Sequence, residues 1–303
     1  MAEQRRSDRP GREASAGRRQ SSERPQQQQR SQGRADTQRR TAGRSGRPAA
    51  AARPGLSRRT NEPPVPEDVD TRSLHASVRA ELRGLPKELA DIVAAHLVAA
   101  GRLVDEDPEL AYAHAEAARR RASRLPIVRE AAAETAYAAG HYDVALSEFR
   151  ALRRMTGTQD YLPVMADCER ALGRPHNALK LAREAERVRL EPALRVEMII
   201  VEAGARRDLG QDDEALRILE RAVSVRPEAA PALAVARLRY AYADALLYAG
   251  KDSEAHQWFV AAAKLDHDQE TDAQQRVDEL DGMVIDYNDE DDADVDGAQP
   301  ESP

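Results

Sequence analysis

Seven histidines, one cysteine and two strongly charged ends are the parts of this 303-residue sequence that could do chemistry. Nucleophilic catalysis or zinc binding needs several such side chains converging at fixed spacing. Cys168 has no thiol companion, His141, His176 and His267 fall at expected turns or helix ends, and His96, His114 and His256 fall on expected helices. Packing or solvent contact accounts for imidazoles scattered in this way. No glycine-rich phosphate cradle runs into Lys and Ser or Thr, and Gly250–Lys251 reads as a turn. Asp286, Asn288, Glu290 and Asp292 alternate like the ligands of a calcium loop, but the bending glycine and closing Glu are absent. The expectation is a protein without catalytic residues, metal site or cofactor, and so not an enzyme.

The charged ends carry the second chemical signal. Residues 1–60 hold 16 Arg, no Lys and five acids, a net of +11, with Met1 and Leu56 as their only large apolar residues. Such a segment cannot bury enough surface to offset its chain entropy and is expected to be disordered. Residues 266–303 hold 15 acids and one base, Arg276, a net of −14. The overall charge of −7 therefore conceals a polarised chain. Arginine pairs well with phosphate, and five Gly-Arg dipeptides resemble those of RNA-associated disordered segments. Arg39, Arg40, Arg44, Arg47, Arg58 and Arg59 are the candidate nucleic-acid contacts. With no aromatic before Tyr112, the tail cannot stack bases on rings, so its binding would be electrostatic and steeply salt-dependent.

The absence of a second cysteine rules out an intrachain disulfide and suits a reducing compartment. No apolar stretch is long enough to span a bilayer, and the N-terminus has arginines but no apolar signal core. A cytoplasmic location without membrane contact is the resulting expectation.

Whatever work the chain does must be positioned by its middle, where one alanine returns in phase. It stands five residues after Gly140, Gly173, Gly210 and Gly250, as Ala145, Ala178, Ala215 and Ala255, and Ala111 precedes them. The steps are 34, 33, 37 and 40 residues, a period that means stacked helix-turn-helix units. Glycine accepts the positive φ that closes a first helix, and alanine lets the second approach it closely. A leading helix capped by Asp68 or Asp70, with Leu74, Val78 and Leu82 on one stripe, is expected to run to Gly84. Residues 271–285, with Val277, Leu280 and Val284 on one side, read as a polar closing helix.

The copies at 126–159 (Ala133, Gly140, Tyr142, Ala145, Phe149), 159–192, 196–229 (Ala203, Gly210, Ala215, Leu219, Ala222, Pro227) and 236–269 resemble the tetratricopeptide repeat (TPR) family. The early tryptophan of that family is missing, and the first pair, near residues 90–123, lacks the turn glycine. The resemblance implies an all-α, right-handed solenoid of about five repeats across 66–285, between a basic tail (1–65) and an acidic tail (286–303). It also implies a concave groove lined by first helices. Carried onto this sequence, the groove positions are Glu130, Glu134, Tyr137, Asp160, Asp167, Arg170, Arg207, Arg237, Tyr240, Asp244 and Tyr248, with Glu197, Asp208 and Leu247 beside them. Glu130 and Glu134 stand where the chaperone-binding members use basic and amide residues to clamp a carboxylate, which speaks against that role.

An acidic, tyrosine-bearing groove suits a basic, extended peptide through charge-assisted hydrogen bonds and cation–π contacts. The expected function is a protein–protein adaptor or scaffold, with RNA or ribosome association through the arginine-rich tail as the alternative. That tail can also pair with the groove or with the acidic end, at close range only, since salt screens exposed charges beyond about 8 Å.

Overall fold

The computed structural model describes residues 62–225 and 229–282. Residues 1–61 of the expected basic tail, the acidic tail, the six tail arginines, Pro227 and residues 283–285 of the expected closing helix lie outside the described residues, whereas Glu62, assigned to the tail, is buried. Among those described, every regular element is helical. A 3-10 turn at Thr71–Ser73 leads to α1 (Ala76–Leu82), α2 (Lys87–Leu103), α3 (Pro108–Ala122), α4 (Pro126–Ala138), α5 (Tyr142–Thr156) and α6 (Leu162–Ala171). There follow α7 (Pro175–Ala185), α8 (Pro192–Arg207), α9 (Asp212–Val225), α10 (Ala232–Tyr248), α11 (Asp252–Ala263) and α12 (Ala273–Leu280).

The helix boundaries follow from local chemistry. Proline opens α3, α4, α7 and α8, where its missing N–H would have had no intrahelical acceptor. Asp107 caps α3 by accepting from the Leu110 N–H at 3.0 Å. Gly140, Gly173, Gly210 and Gly250 all adopt φ between 68° and 74°. In each case the next residue, His141, Arg174, Gln211 or Lys251, donates its N–H to the carbonyl five residues back. This closure satisfies the last carbonyls and turns the chain sharply enough for the next helix to pack back.

Each such turn joins two helices that pack on each other: α4 with α5, α6 with α7, α8 with α9, and α10 with α11. The pair α2/α3 packs likewise without a turn glycine. Second helices then meet the following first helix, and first helices also meet one another, α2 with α4, α6 with α8 and α8 with α10. The in-phase alanines lie at these crossings. Ala111, Ala145, Ala215 and Ala255 are fully buried and Ala178 nearly so. The apolar interior is accordingly a series of clusters along the chain, from Leu82, Val93 and Leu97 at one end to Leu238, Phe259 and Val277 at the other.

Two ends differ from expectation. The leading helix is broken, because the Asp70 side chain caps the short turn through Arg72 N–H and the chain is extended at Leu74 before α1 starts. Asp68 caps nothing and instead pairs with Arg102 at 3.0 Å. The closing helix, α12, is shorter than 271–285 but buries Ala273 and Val277 against the last pair.

Candidate functional site

The first helices α4, α6, α8 and α10, with the residues flanking α6 and α8, bring the sequence-derived groove residues together. A cavity of about 590 Å³ lies between α4, α6 and α8, walled by Glu134, Tyr137, Asp160, Asp167, Arg170 and Arg237. Its neighbour, about 500 Å³, is lined by Arg170, Arg207, Arg237, Tyr240, Asp244 and Asp272. Val164, Leu194, Ile200 and Val201 give the first cavity an apolar floor. Glu130 extends the same face toward α2, and Tyr248, well exposed, stands at the far end with Arg207 5.0 Å over its ring.

Polar rungs cross from each repeat to the next. Tyr137 Oη donates to Asp167, and Tyr161 Oη donates to Glu130 at 2.7 Å. Arg170 reaches Asp208 at 2.8 Å and Asp167 at 3.0 Å. Arg207 pairs with Asp244 at 2.5 Å, and Arg237 holds Glu197 with two contacts of 3.0 Å. These half-exposed pairs contribute little stability, roughly 0–1 kcal/mol each. Their consequence is electrostatic: every groove arginine is already neutralised by an acid of this chain. Glu134 and Asp160 have no basic partner among the described residues. Although its edge is open to solvent, Glu134 is surrounded by enough protein to raise its carboxyl above the ordinary range, and nearby Glu130 raises it further. Burial likewise raises Glu197 against the opposing pull of Arg237. Tyr240 is pushed up to about 12 by burial and by its hydrogen bond to Asp272, so it remains a neutral donor.

Two groove features escaped the sequence reading. Tyr161 precedes α6 rather than lying within it, and only its place beside Asp160 hints at the groove. Gly204 sits in the last turn of α8, where glycine costs up to about 1 kcal/mol relative to Ala. A Cβ there would stand 2.5 Å from Arg170 Cζ, so the glycine lets the guanidinium lie flat on the helix backbone between its two acids. Gly204→Ala is expected to leave the thermal midpoint unchanged or slightly raised, since helix propensity gains what the Asp208 pair loses. The Arg170 Nε–H resonance should shift as that pair opens. A midpoint several degrees lower would show that the glycine serves packing instead.

Elsewhere the candidate chemistry is absorbed by packing. Cys168 is fully buried, and burial followed by the Asp167 charge pushes its thiol up to about 12, which leaves no thiolate near neutral pH. His96 and His114 are buried against each other. His141 instead meets Glu109 at the surface. Among the described residues no His, Cys, Asp and Glu side chains gather as a metal would require, and no helix is long and apolar enough to cross a membrane. Compared with protein-family models and with curated proteins, the chain matches none.

Proposed function

We propose that this chain is a right-handed TPR solenoid of about five repeats. On this reading it serves as a non-enzymatic cytoplasmic adaptor that holds a basic, extended segment of a partner protein in its groove. Helices that pack in chain order, turn glycines with positive φ and buried alanines in phase support the solenoid reading. The observation that carries the binding reading is the asymmetry of the groove charges. Arg170, Arg207 and Arg237 are each held by an internal acid, whereas Glu134 and Asp160 are left for a ligand. Tyr137, Tyr161 and the apolar floor can cover the stem and the planar face of an arginine side chain.

The test is the affinity of the chain for an arginine-rich peptide in an extended conformation. Reversing both open acids, Glu134→Lys with Asp160→Lys, is expected to weaken binding by tenfold or more, because like charges then face each other in a partly desolvated groove. Affinity should also fall as salt rises. The pH dependence has a definite sign. A cation beside Glu134 favours its ionised form, so binding releases a proton and affinity declines as pH drops through the raised carboxylate range. An acidic peptide that binds equally well would overturn the reading.

A further inference from the structure

We propose that the groove continues into an apolar recess between α2 and α4, and that this recess seats a leucine-sized side chain of the bound segment, two or three residues from the arginine held at Glu134. The inference rests on the reading of the groove as a seat for a basic, extended segment, and adds a second, apolar requirement to it.

The recess, about 280 Å³, is walled by Leu74 and Val78, by Leu97 and Val104, and by Ile127 and Ala131. All but Leu97 are only partly buried, so apolar surface stays open to water there. Among the described residues its charged walls are Glu130 and Glu134 alone. Thr135, its one other polar side chain, already donates to the Ala131 carbonyl at 2.7 Å. An apolar occupant therefore gains from every wall except the acidic edge, whereas a polar one finds partners only at that edge. The volume falls below the roughly 300–1,000 Å³ of pockets that take free small molecules, so it suits one side chain of a larger ligand.

The recess and the groove share a wall. Glu134 lines both the recess and the cavity of about 590 Å³. Glu130 lines the recess and accepts from Tyr161, which walls the cavity. A cation drawn to Glu134 therefore stands at the mouth of the recess. The same two carboxylates repel an acidic residue from that mouth, and no basic wall attracts one. Helices packed on each other lie about 8–10 Å apart, axis to axis. The recess is on the α2 side of α4 and the cavity on its α6 side, so the two seats are separated by about that distance. Extended chain rises about 3.3 Å per residue, which places the arginine and the apolar side chain two or three residues apart.

Gly101 offers a way to fill the recess without touching the arginine seat. It stands in the last turn of α2 and lines the recess, and a Cβ added there would meet nothing within 4 Å. Phenylalanine at this position has open space to occupy, and it suits a helix better than glycine does. Glu134, Asp160 and Tyr137 are left as they are, so affinity for a basic peptide without an apolar anchor should hold.

The test measures the affinity of the full chain for three peptides that share an arginine run. One carries leucine at the second and third positions before the run, one carries leucine at the second and third positions after it, and the third carries serine at all four. One leucine peptide should bind about tenfold tighter than the serine peptide, as expected for burying most of a leucine side chain. In Gly101→Phe that gain should shrink below about twofold, with the serine peptide bound as before. Should the variant fail to fold, nuclear Overhauser contacts from the peptide leucine methyls to those of Val104 and Ile127 in the wild-type complex decide instead, and their absence counts against the recess. If no arginine peptide binds, the groove reading fails and this proposal with it. If the serine peptide binds and neither leucine peptide binds more tightly, or if the gain survives in Gly101→Phe, the groove reading stands and the recess proposal is overturned.

Discussion

Replacing Phe259 with Ala is expected to destabilise the C-terminal part of the helical stack by about 3–5 kcal/mol. The ring is fully buried where α10, α11 and α12 meet. Tyr240 packs edge-on at 5.2 Å between centroids, and the Arg276 guanidinium lies 5.2 Å from the ring centroid. Leu219, Leu238, Leu246 and Val277 belong to the same cluster, and their backbones are held by helix hydrogen bonds, so the void can collapse only partly. For a chain of this size the loss corresponds to a midpoint roughly 6–20 °C lower if unfolding is concerted. Helices that touch mainly their chain neighbours need not unfold together, however. The expected result is an early transition confined to α10–α12, with α4–α7 melting near their original temperature. Circular dichroism combined with hydrogen exchange resolves the two. A single transition shifted by less than a few degrees would mean that the cavity closes by rearrangement.

The contrast between Phe259 and Glu62 shows which parts of this molecule can be read without coordinates. Ala145, Ala215 and the turn glycines act within a single helix-turn-helix unit, where steric demands repeat with the chain and leave a period of 33–40 residues. The groove positions follow from the same period, because every first helix presents corresponding residues to the same side. Pairing is different. That Arg170 would be held by Asp208 and Arg207 by Asp244, 38 and 37 residues away, depends on how far each pair of helices is displaced along the stack. Neither the sequence period nor the charge count contains that displacement, so the residual negative charge at Glu134 and Asp160 was hidden. Glu62 is harder still. It lies among prolines at the edge of the basic segment, and its partners His96 and Arg121 come from two other helices. A lone acid in a segment without periodicity gives no sign of being buried. The leading helix was overextended for a related reason, because the Leu74, Val78, Leu82 spacing suits a helix throughout. Local caps at Asp70 and His75 interrupt it.

Arg121→Ala removes the main counter-charge of a carboxylate whose side chain is 1 % exposed. Kept in place, such a carboxylate costs about 3–5 kcal/mol. The chain has a way to avoid that penalty, because Glu62 lies on a segment held by partly buried Leu74 and Val78 and by one fully buried α1 residue. Lifting residues 62–82 away hydrates the carboxylate at the expense of those few contacts. Lifting is thus the cheaper course, and its free energy sets the ceiling on the measured loss. Arg121→Ala should therefore expose residues 62–82 to exchange and proteolysis at neutral pH, while α6–α11 keep their stability. The paired change Glu62→Met with Arg121→Met is expected to behave oppositely. Two apolar side chains of similar volume remove both charges, and such replacements are often neutral or stabilising by about 1–4 kcal/mol. That variant should keep residues 62–82 in place, as shown by protected amides in 71–82. If the single and paired variants loosen residues 62–82 to the same extent, Glu62 is held by packing rather than by its charge.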